Sequence, residues 1–494
     1  MRKYHIVIFA LLGSLLISSC SADFLDEVPT EDVSESSATA TTGNLFLIIN
    51  GIHRSLYIRY GAQGRTGISS MMIMNDVLGE DVVHNARGLN WFISTSGWND
   101  HTSASSANNL FPYRTFYRII RNANVVIEGA EGAEGPATER DAALGQALVY
   151  RAWAHFQTVQ LYAERYKEGG GNNQPGIPIR LLPNNDPEPR ASVEEVYTQI
   201  NADLDRAMEL LQGYQRPNNS HLDLSVAQGL KARVNLVQHN HQVAAEFARL
   251  AREEYRLMTN DEYFYDFNDY ENPEWMWGSH IVEDQSDTFG NFGAYFSRNY
   301  NSTSIRQNPP SIFAPLYDQI SETDIRKELW DPTGEHENLP TGEQLPSNFS
   351  RYPYTNQKFM AAGTGDSRMD TPYMRAAEMY LIEAEALTYI DEVKAREVLS
   401  EFASNRDPHY TLSTNSGDAL REEIYVQRRI ELWGEGFRFY DLKRLNQPLN
   451  REGGNHNASL VSDVFFVPAG DNSWQWLIPQ DAMNANPLLE QNPL

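Results

Sequence analysis

A single cysteine, Cys20, serves a chain of 494 residues, so no intramolecular disulfide can form and the fold must be held by its core. Basic residues are also in short supply: 40 Lys and Arg stand against 66 Asp and Glu, a formal charge of −26 at pH 7. Phosphate backbones are gripped by clustered Lys and Arg, which excludes nucleic acid as a partner and leaves neutral or cationic partners open. Beyond residue 19 no apolar run reaches the ~20 residues that cross a bilayer. Signatures of common chemistry are missing too. There is no Gly-x-Ser-x-Gly elbow and no phosphate loop ending in Gly-Lys-Ser or Gly-Lys-Thr. His239 and His241 stand two apart with no Glu between them, unlike the four-residue spacing of helical zinc motifs, so no metal ligands are assigned.

What is present begins with an export signal. Arg2 and Lys3 precede an apolar stretch, Ile6 to Ile17, and Ile17-Ser18-Ser19-Cys20 resembles the lipobox of bacterial lipoproteins. Residues 1–19 are read as a signal peptide and Cys20 as the lipid attachment site. Ser34 to Thr42 contains no large apolar residue, so 20–42 is read as a tether and 43–494 as one folded domain.

The body reads as helices. Leu144, Leu148, Ala152, Phe156 and Val159 recur at helical spacing, as do Val196, Ile200, Leu204, Met208 and Leu211 after a capping box formed by Ser192 and Glu195. Residues 223–238 and 242–256 form a helix pair across the turn His239-Asn240-His241. Small residues Ala227, Gly229 and Ala232 face Ala245, Ala248 and Ala251, a pattern that resembles a tetratricopeptide repeat. A second pair follows, with Ala377, Tyr380, Leu381, Ala384 and Leu387 on one helix and Ala395, Val398, Leu399 and Phe402 on the next. The expected fold is all-α dominated: a tetratricopeptide-like helical-repeat scaffold with large irregular loop insertions. Residues 43–259 carry the N-terminal repeats with an irregular 75–109 region, 260–371 an aromatic-rich insertion, and 372–494 the last repeat and C-terminal segment.

Both irregular regions set aromatic rings among Asn, Asp, Gly and Ser. A pyranose packs its C–H face on an aromatic ring, and polar side chains take its hydroxyls. Trp91, Trp98, Trp275, Trp277, Tyr295 and Tyr300 are therefore candidates for glycan stacking, with Asn99 and Asp100 as polar candidates; burial between loops and helices is the competing reading. Phe264, Phe267, Phe289 and Phe296 are read as core filling. The block Arg428 to Arg444 offers Glu431 and Glu435 as a catalytic acid pair, but Gly434 and Gly436 interrupt the helix that would align them. An ion-pair network of Arg428 or Arg429 with Glu431, Glu435 or Asp441 is the preferred reading.

Taken in order, several segments resemble the SusD/RagB family of outer-membrane nutrient-binding lipoproteins. These are the lipobox, Phe24 to Pro29, the Phe111 to Glu128 stretch, Glu378 to Ala386, the Arg428 to Arg444 block, Ile478-Pro479, Asn486-Pro487 and Gln491-Asn492-Pro493. The resemblance implies four tetratricopeptide-like helix pairs supporting an irregular binding face. It also implies a partner, a SusC-like TonB-dependent outer-membrane transporter, over which the lipid-anchored, surface-exposed protein sits as a lid that captures poly- or oligosaccharide without catalysis. No cofactor is expected, although the family tolerates structural calcium, which the run Asp266, Asn268, Asp269 and Glu271 could ligate through oxygens; a solvated loop is the preferred reading there. A family member that binds peptide or another nutrient, and a surface glycosidase, remain as alternatives.

Overall fold

In the computed structural model, which describes residues 35–265, 267–285, 289–337 and 339–494, the apolar periodicity resolves into long helices. They are α1 Thr42–Ser55, α2 Gly67–Leu78, α3 Ala107–Gly129, α4 Ala137–Tyr162, α5 Val193–Leu210, α6 Leu224–Val237, α7 His241–Arg252, α8 Ala376–Leu387, α9 Glu392–Arg406, α10 Gly417–Glu431 and α11 Arg438–Arg444. Helices α4 and α5, α6 and α7, and α8 and α9 pack as successive pairs, and α7 packs on α8 across the insertion. The scaffold is thus helical and tetratricopeptide-like. No described helix is long and apolar enough to cross a membrane. Cys20 and the signal peptide lie outside the described residues.

Local chemistry sets the helix ends. Ser192 caps α5 by accepting the Glu195 N–H (3.2 Å), while the Glu195 carboxylate accepts the Ser192 N–H (2.8 Å), completing the capping box. Ala245, Ala248 and Ala251 are buried along α7. Gly229 serves a different neighbour from the one expected: a Cβ there would strike the Met374 and Met379 side chains, so it admits the strand and helix that follow the insertion.

The proposed tether ends earlier than residue 42. Residues 35–38 form a helical turn, the Thr42 N–H donates to the Glu134 carbonyl (2.9 Å), and the Glu134 N–H donates to Ala40 (2.9 Å). Small side chains do the docking: Thr39 and Thr42 sit where a Cβ on Gly129 or Gly135 would collide. Large apolar residues are unnecessary for such a contact, which is why their absence misplaced the boundary.

The insertion contains more order than its sequence suggests. Its strands are β2 Trp275–Ser279, β3 Ser311–Ile312, β4 Trp330–Asp331 and β5 Thr355–Asn356; β1 Val82–Val83 precedes it, and β6 Thr371–Arg375 closes it. A four-stranded sheet runs β1-β3-β5-β4, and β2 pairs antiparallel with β6 from Trp275 opposite Arg375 to Ser279 opposite Thr371. The second pairing cinches the neck of the insertion against α8.

Beneath that neck lies a buried ionic cluster. Arg375 reaches Glu274, Glu431 (2.9 Å) and Glu435 (2.6 Å), and Arg406 reaches Glu274 (2.8 Å) and Glu431 (3.1 Å). Arg326 bridges Asp324 (2.6 Å) and Glu431 (3.3 Å), while Lys358 holds Glu435 (2.7 Å). Glu431 and Glu435 therefore do not form a free acid pair: α10 ends at Glu431, Gly434 and Gly436 turn the chain at φ 81° and 87°, and both carboxylates are ion-paired. Burial alone would raise the Glu431 pKa, but three surrounding guanidiniums overcome it and hold the group ionised far below the usual range. Neighbouring pairs extend the pattern. Arg428 meets Asp441 (2.8 Å), Arg444 meets Asp441 (2.7 Å) and Glu385, and Arg429 meets Asp81 (2.6 Å).

Removing one partner leaves buried charge uncompensated. Glu431→Gln should lower the unfolding free energy by about 3–5 kcal/mol in urea denaturation. For Asp441, burial pushes the pKa up, but Arg428 and Arg444 bring it down from 3.8 to about 2. Its folded value lies below its unfolded one, so its contribution is full above pH 3.8 and is lost as pH falls through about 2. Asp441→Asn should flatten that acid limb in a stability-against-pH series.

Candidate ligand-binding face

Most of the rings singled out in the sequence are structural. Trp98 is 5% exposed, its Nε1–H donates to the Leu78 carbonyl (2.9 Å), and its ring meets Trp474 edge-on at 4.9 Å. Trp275 and Trp277 are 0% exposed on β2, and Trp277 packs against Trp153 (5.2 Å) and Tyr373 (5.1 Å). Tyr300 is buried with Ala294 and Ala361. None of these four offers a ring face to a sugar. Asp100 is buried as well and accepts hydrogen bonds from Ser94, Thr95, Ser106 and Asn108, organising the approach to α3, whose N-cap is Ser106. Asn99 is exposed but donates to Ser462 Oγ (3.0 Å). The polar neighbours that suggested exposure bond to other side chains, while aromatic rings pack against Trp98 and Trp277. Among the phenylalanines read as core, Phe267 and Phe296 are buried, whereas Phe289 is 55% exposed.

One predicted ring, Trp91, does reach the surface, backed by another. Trp91 is half-buried and stacks on Tyr295, with ring centres 6.3 Å apart at 15°, while Phe92 meets Tyr295 edge-on at 4.8 Å. Tyr295 itself is buried and acts as the backing plate. Asn90 and Phe92 flank Trp91 at φ 59° and 58°. A bulky residue in the left-handed region is strained, and such strain is held where surrounding structure fixes a side chain. Here Asn308 fixes the loop's start, accepting the Asn85 N–H (2.8 Å) and bonding His84 Nδ1 (3.0 Å).

The end of α1 and the residues after it line a pocket of about 330 Å3. Trp277 and Tyr373 are among the residues around it, and its polar groups include Asn50, Arg54, Ser220, His221, Ser279 and Gln285. Arg54 lies over the Tyr57 ring (4.7 Å), and the Tyr57 hydroxyl donates to Gln285 Oε1 (2.7 Å). His53 Nε2 is 3.3 Å from His221 Nδ1; burial, followed by their mutual repulsion, keeps His53 well below its ordinary pKa, and burial lowers His221. Both imidazoles are neutral at neutral pH and can donate or accept. At the rim, His280 stacks on Tyr270 (4.2 Å, 25°). Thr66 ties the 57–66 segment to Gly290, and Gly64 lies against the Phe92 ring. The spacing of Arg54, Tyr57, His221 and Gln285 in the sequence carries no motif, so nothing there singles them out. A second cavity, behind Trp277, is about 80 Å3, below the ~300 Å3 of ordinary ligand pockets.

The acidic run considered for calcium makes hydrogen bonds within itself and to Asp370. Asp266 lies outside the described residues, Asn268 Oδ1 accepts the Asp370 N–H (2.7 Å), and Asp269 Oδ1 accepts the Glu271 N–H (2.9 Å).

Residues 23–236 match the profile of a SusD-like family described as starch-binding and associating with the outer membrane. SusD-like protein P2 of Formosa agariphila is 26% identical over 90% of this chain and 91% of its own length. The chain resembles SusD-like proteins along most of its length. Solved relatives share the fold across both halves. A SusD-like carbohydrate-binding protein from Bacteroides vulgatus superposes with a TM-score of 0.79 over 91% of this chain and 97% of its own, at 24% identity. A laminarin-binding SusD-like protein does so with a TM-score of 0.69 over 92% and 99%, at 20% identity.

Trp98→Ala and Trp277→Ala remove packed rings and should each cost about 3–5 kcal/mol of stability. Chemical denaturation checks this, and a change below about 1 kcal/mol would place the ring at the surface instead.

Proposed function

We propose that this SusD-like chain is a non-enzymatic, lipid-anchored protein of the bacterial cell surface that binds poly- or oligosaccharide and passes it to a SusC-like TonB-dependent outer-membrane transporter. The observation that carries the glycan reading is the half-exposed Trp91 ring, backed by Tyr295 and flanked by left-handed backbone; a separate pocket lined by Asn50, Tyr57, Ser220, Ser279 and Gln285 adds hydroxyl and amide groups. Neutral sugars need ring faces and hydroxyl partners, not charge complementarity, and an acidic protein can supply both. The family's description as starch-binding and outer-membrane-associated, and the laminarin-binding relative, support the same ligand class. Lipid on Cys20 would keep the binder at high effective concentration near its transporter.

A binding rather than hydrolytic role is favoured by the pocket's lining. A glycosidase needs two carboxyl groups about 5–9.5 Å apart across the scissile bond, and the described residues that line the pocket include no Asp or Glu.

Native affinity electrophoresis of the mature, non-acylated protein through gels containing neutral or acidic polysaccharides tests the reading. Retardation by a neutral glycan is expected. Because a ring stack contributes about 0.5–1.5 kcal/mol, Trp91→Ala should weaken retention about 2- to 10-fold without a change in melting. Uniform mobility in every gel, or retention indifferent to Trp91, would count against glycan stacking. In cells, Cys20→Ala should abolish fatty-acid labelling and release the protein from the membrane fraction.

A further inference from the structure

The spacing of His239 and His241 argues against a helical zinc motif, yet folding brings them a third donor from elsewhere in the chain. Glu168, in the loop after α4, places a carboxylate oxygen so that it and one ring nitrogen of each histidine all lie within 4.8 Å of one another. Among the described residues, this is the group of His, Cys, Asp or Glu side chains gathered closely enough to hold an ion. We propose that Glu168, His239 and His241 bind one Zn2+ ion, with water completing its coordination.

The first support is unsatisfied polarity. His239 Nε2 and both ring nitrogens of His241 are shielded from solvent and have no hydrogen-bond partner. Shielded imidazole nitrogens ordinarily find a donor or acceptor, and a metal supplies the missing partner. The second is preorganisation of both contributing turns. His239 adopts φ 60°, and the turn is locked by the Asn240 N–H donating to the Asn235 carbonyl (2.9 Å) and by Asn240 Nδ2 donating to Asn235 Oδ1 (3.1 Å). His241 lies flat on Tyr389 at 3.8 Å and 4°, which fixes its ring plane. On the other side, Asn172 pins the Glu168 loop by accepting the Lys167 N–H (2.8 Å) and donating to the Lys167 and Gly170 carbonyls (3.1 Å each).

The donor chemistry suits zinc. Two imidazoles and a carboxylate, with no thiolate, form a set used by zinc at sites that keep a position open to water. Zinc–ligand bonds of about 2.0–2.2 Å require donors to close to roughly 3.3 Å; Glu168 is exposed and can rotate inward. An adjoining cavity of about 540 Å3, lined in part by Glu168 and His239, gives water access. Cations there are already engaged: Lys167 pairs with Glu164 (2.6 Å), Arg421 with Asp418, and Arg165 with Asn446 (3.1 Å). Bound metal would staple the loop after α4 to the α6–α7 turn.

The test is Zn2+ competition against a chromophoric chelator, using tag-free mature chain stripped with EDTA, with Co2+ absorption as a second readout. One equivalent of Zn2+ is expected, bound at least tenfold more weakly by His241→Gln and by His239→Asn, which tolerates the left-handed backbone. His409→Gln, at an exposed position, should bind as the parent does. Matched melting curves in EDTA show that the variants fold; if a histidine variant does not, exposed Glu168→Gln takes its place with the same expected weakening. Less than one equivalent bound, or affinity indifferent to these substitutions, overturns the site.

Discussion

The constraint on which the molecule depends is charge neutrality in a place water does not reach. Arg326, Lys358, Arg375 and Arg406 face Glu274, Asp324, Glu431 and Glu435, four cations against four anions in direct contact. Each ion loses several kcal/mol of hydration on burial, so the cluster is tolerable only when every member is present. Glu274, Asp324, Arg326 and Lys358 come from the insertion; Arg375, Arg406, Glu431 and Glu435 come from the strand, helices and turn that follow it. Such a cluster is weak evidence for net stability, but it makes the insertion and the last repeats conditional on one another.

The helical half of the fold was legible because its signals are local. The Ser192 and Glu195 capping box, the alanines of α7 and the His239-Asn240-His241 turn are all written within a few residues of one another, and each appears where its pattern placed it. The ionic reading of the Arg428 to Arg444 block also holds, although only Arg428 with Asp441 was among the expected pairings; Arg429 crosses to Asp81, and Glu431 and Glu435 turn to Arg375. Those partners are separated by tens to hundreds of residues and leave no periodic trace.

The candidate site was legible only in part, for the same reason. A tryptophan among asparagines and serines reads alike whether those side chains meet water or close over the ring. Around Trp98 they bond to Asp100 while His101, Phe439 and Trp474 bury the ring; Trp91 stays half-buried. The pocket draws Arg54 and Tyr57 from the end of α1, His221 from the loop before α6, and Gln285 from the insertion. Three remote stretches meet there because the repeat scaffold brings their ends to one side, and no spacing rule within any one of them encodes the meeting.

The nine tryptophans of the chain are unequal in one respect: eight are buried, and Trp91 alone meets solvent. Indole emission moves to longer wavelength in a polar, relaxing environment and is quenched by small solutes on collision. The red edge of this protein's fluorescence therefore belongs chiefly to Trp91, and an uncharged quencher reaches that ring before any other. The chain carries an intrinsic optical reporter on the face assigned to the ligand, readable without label or engineered probe.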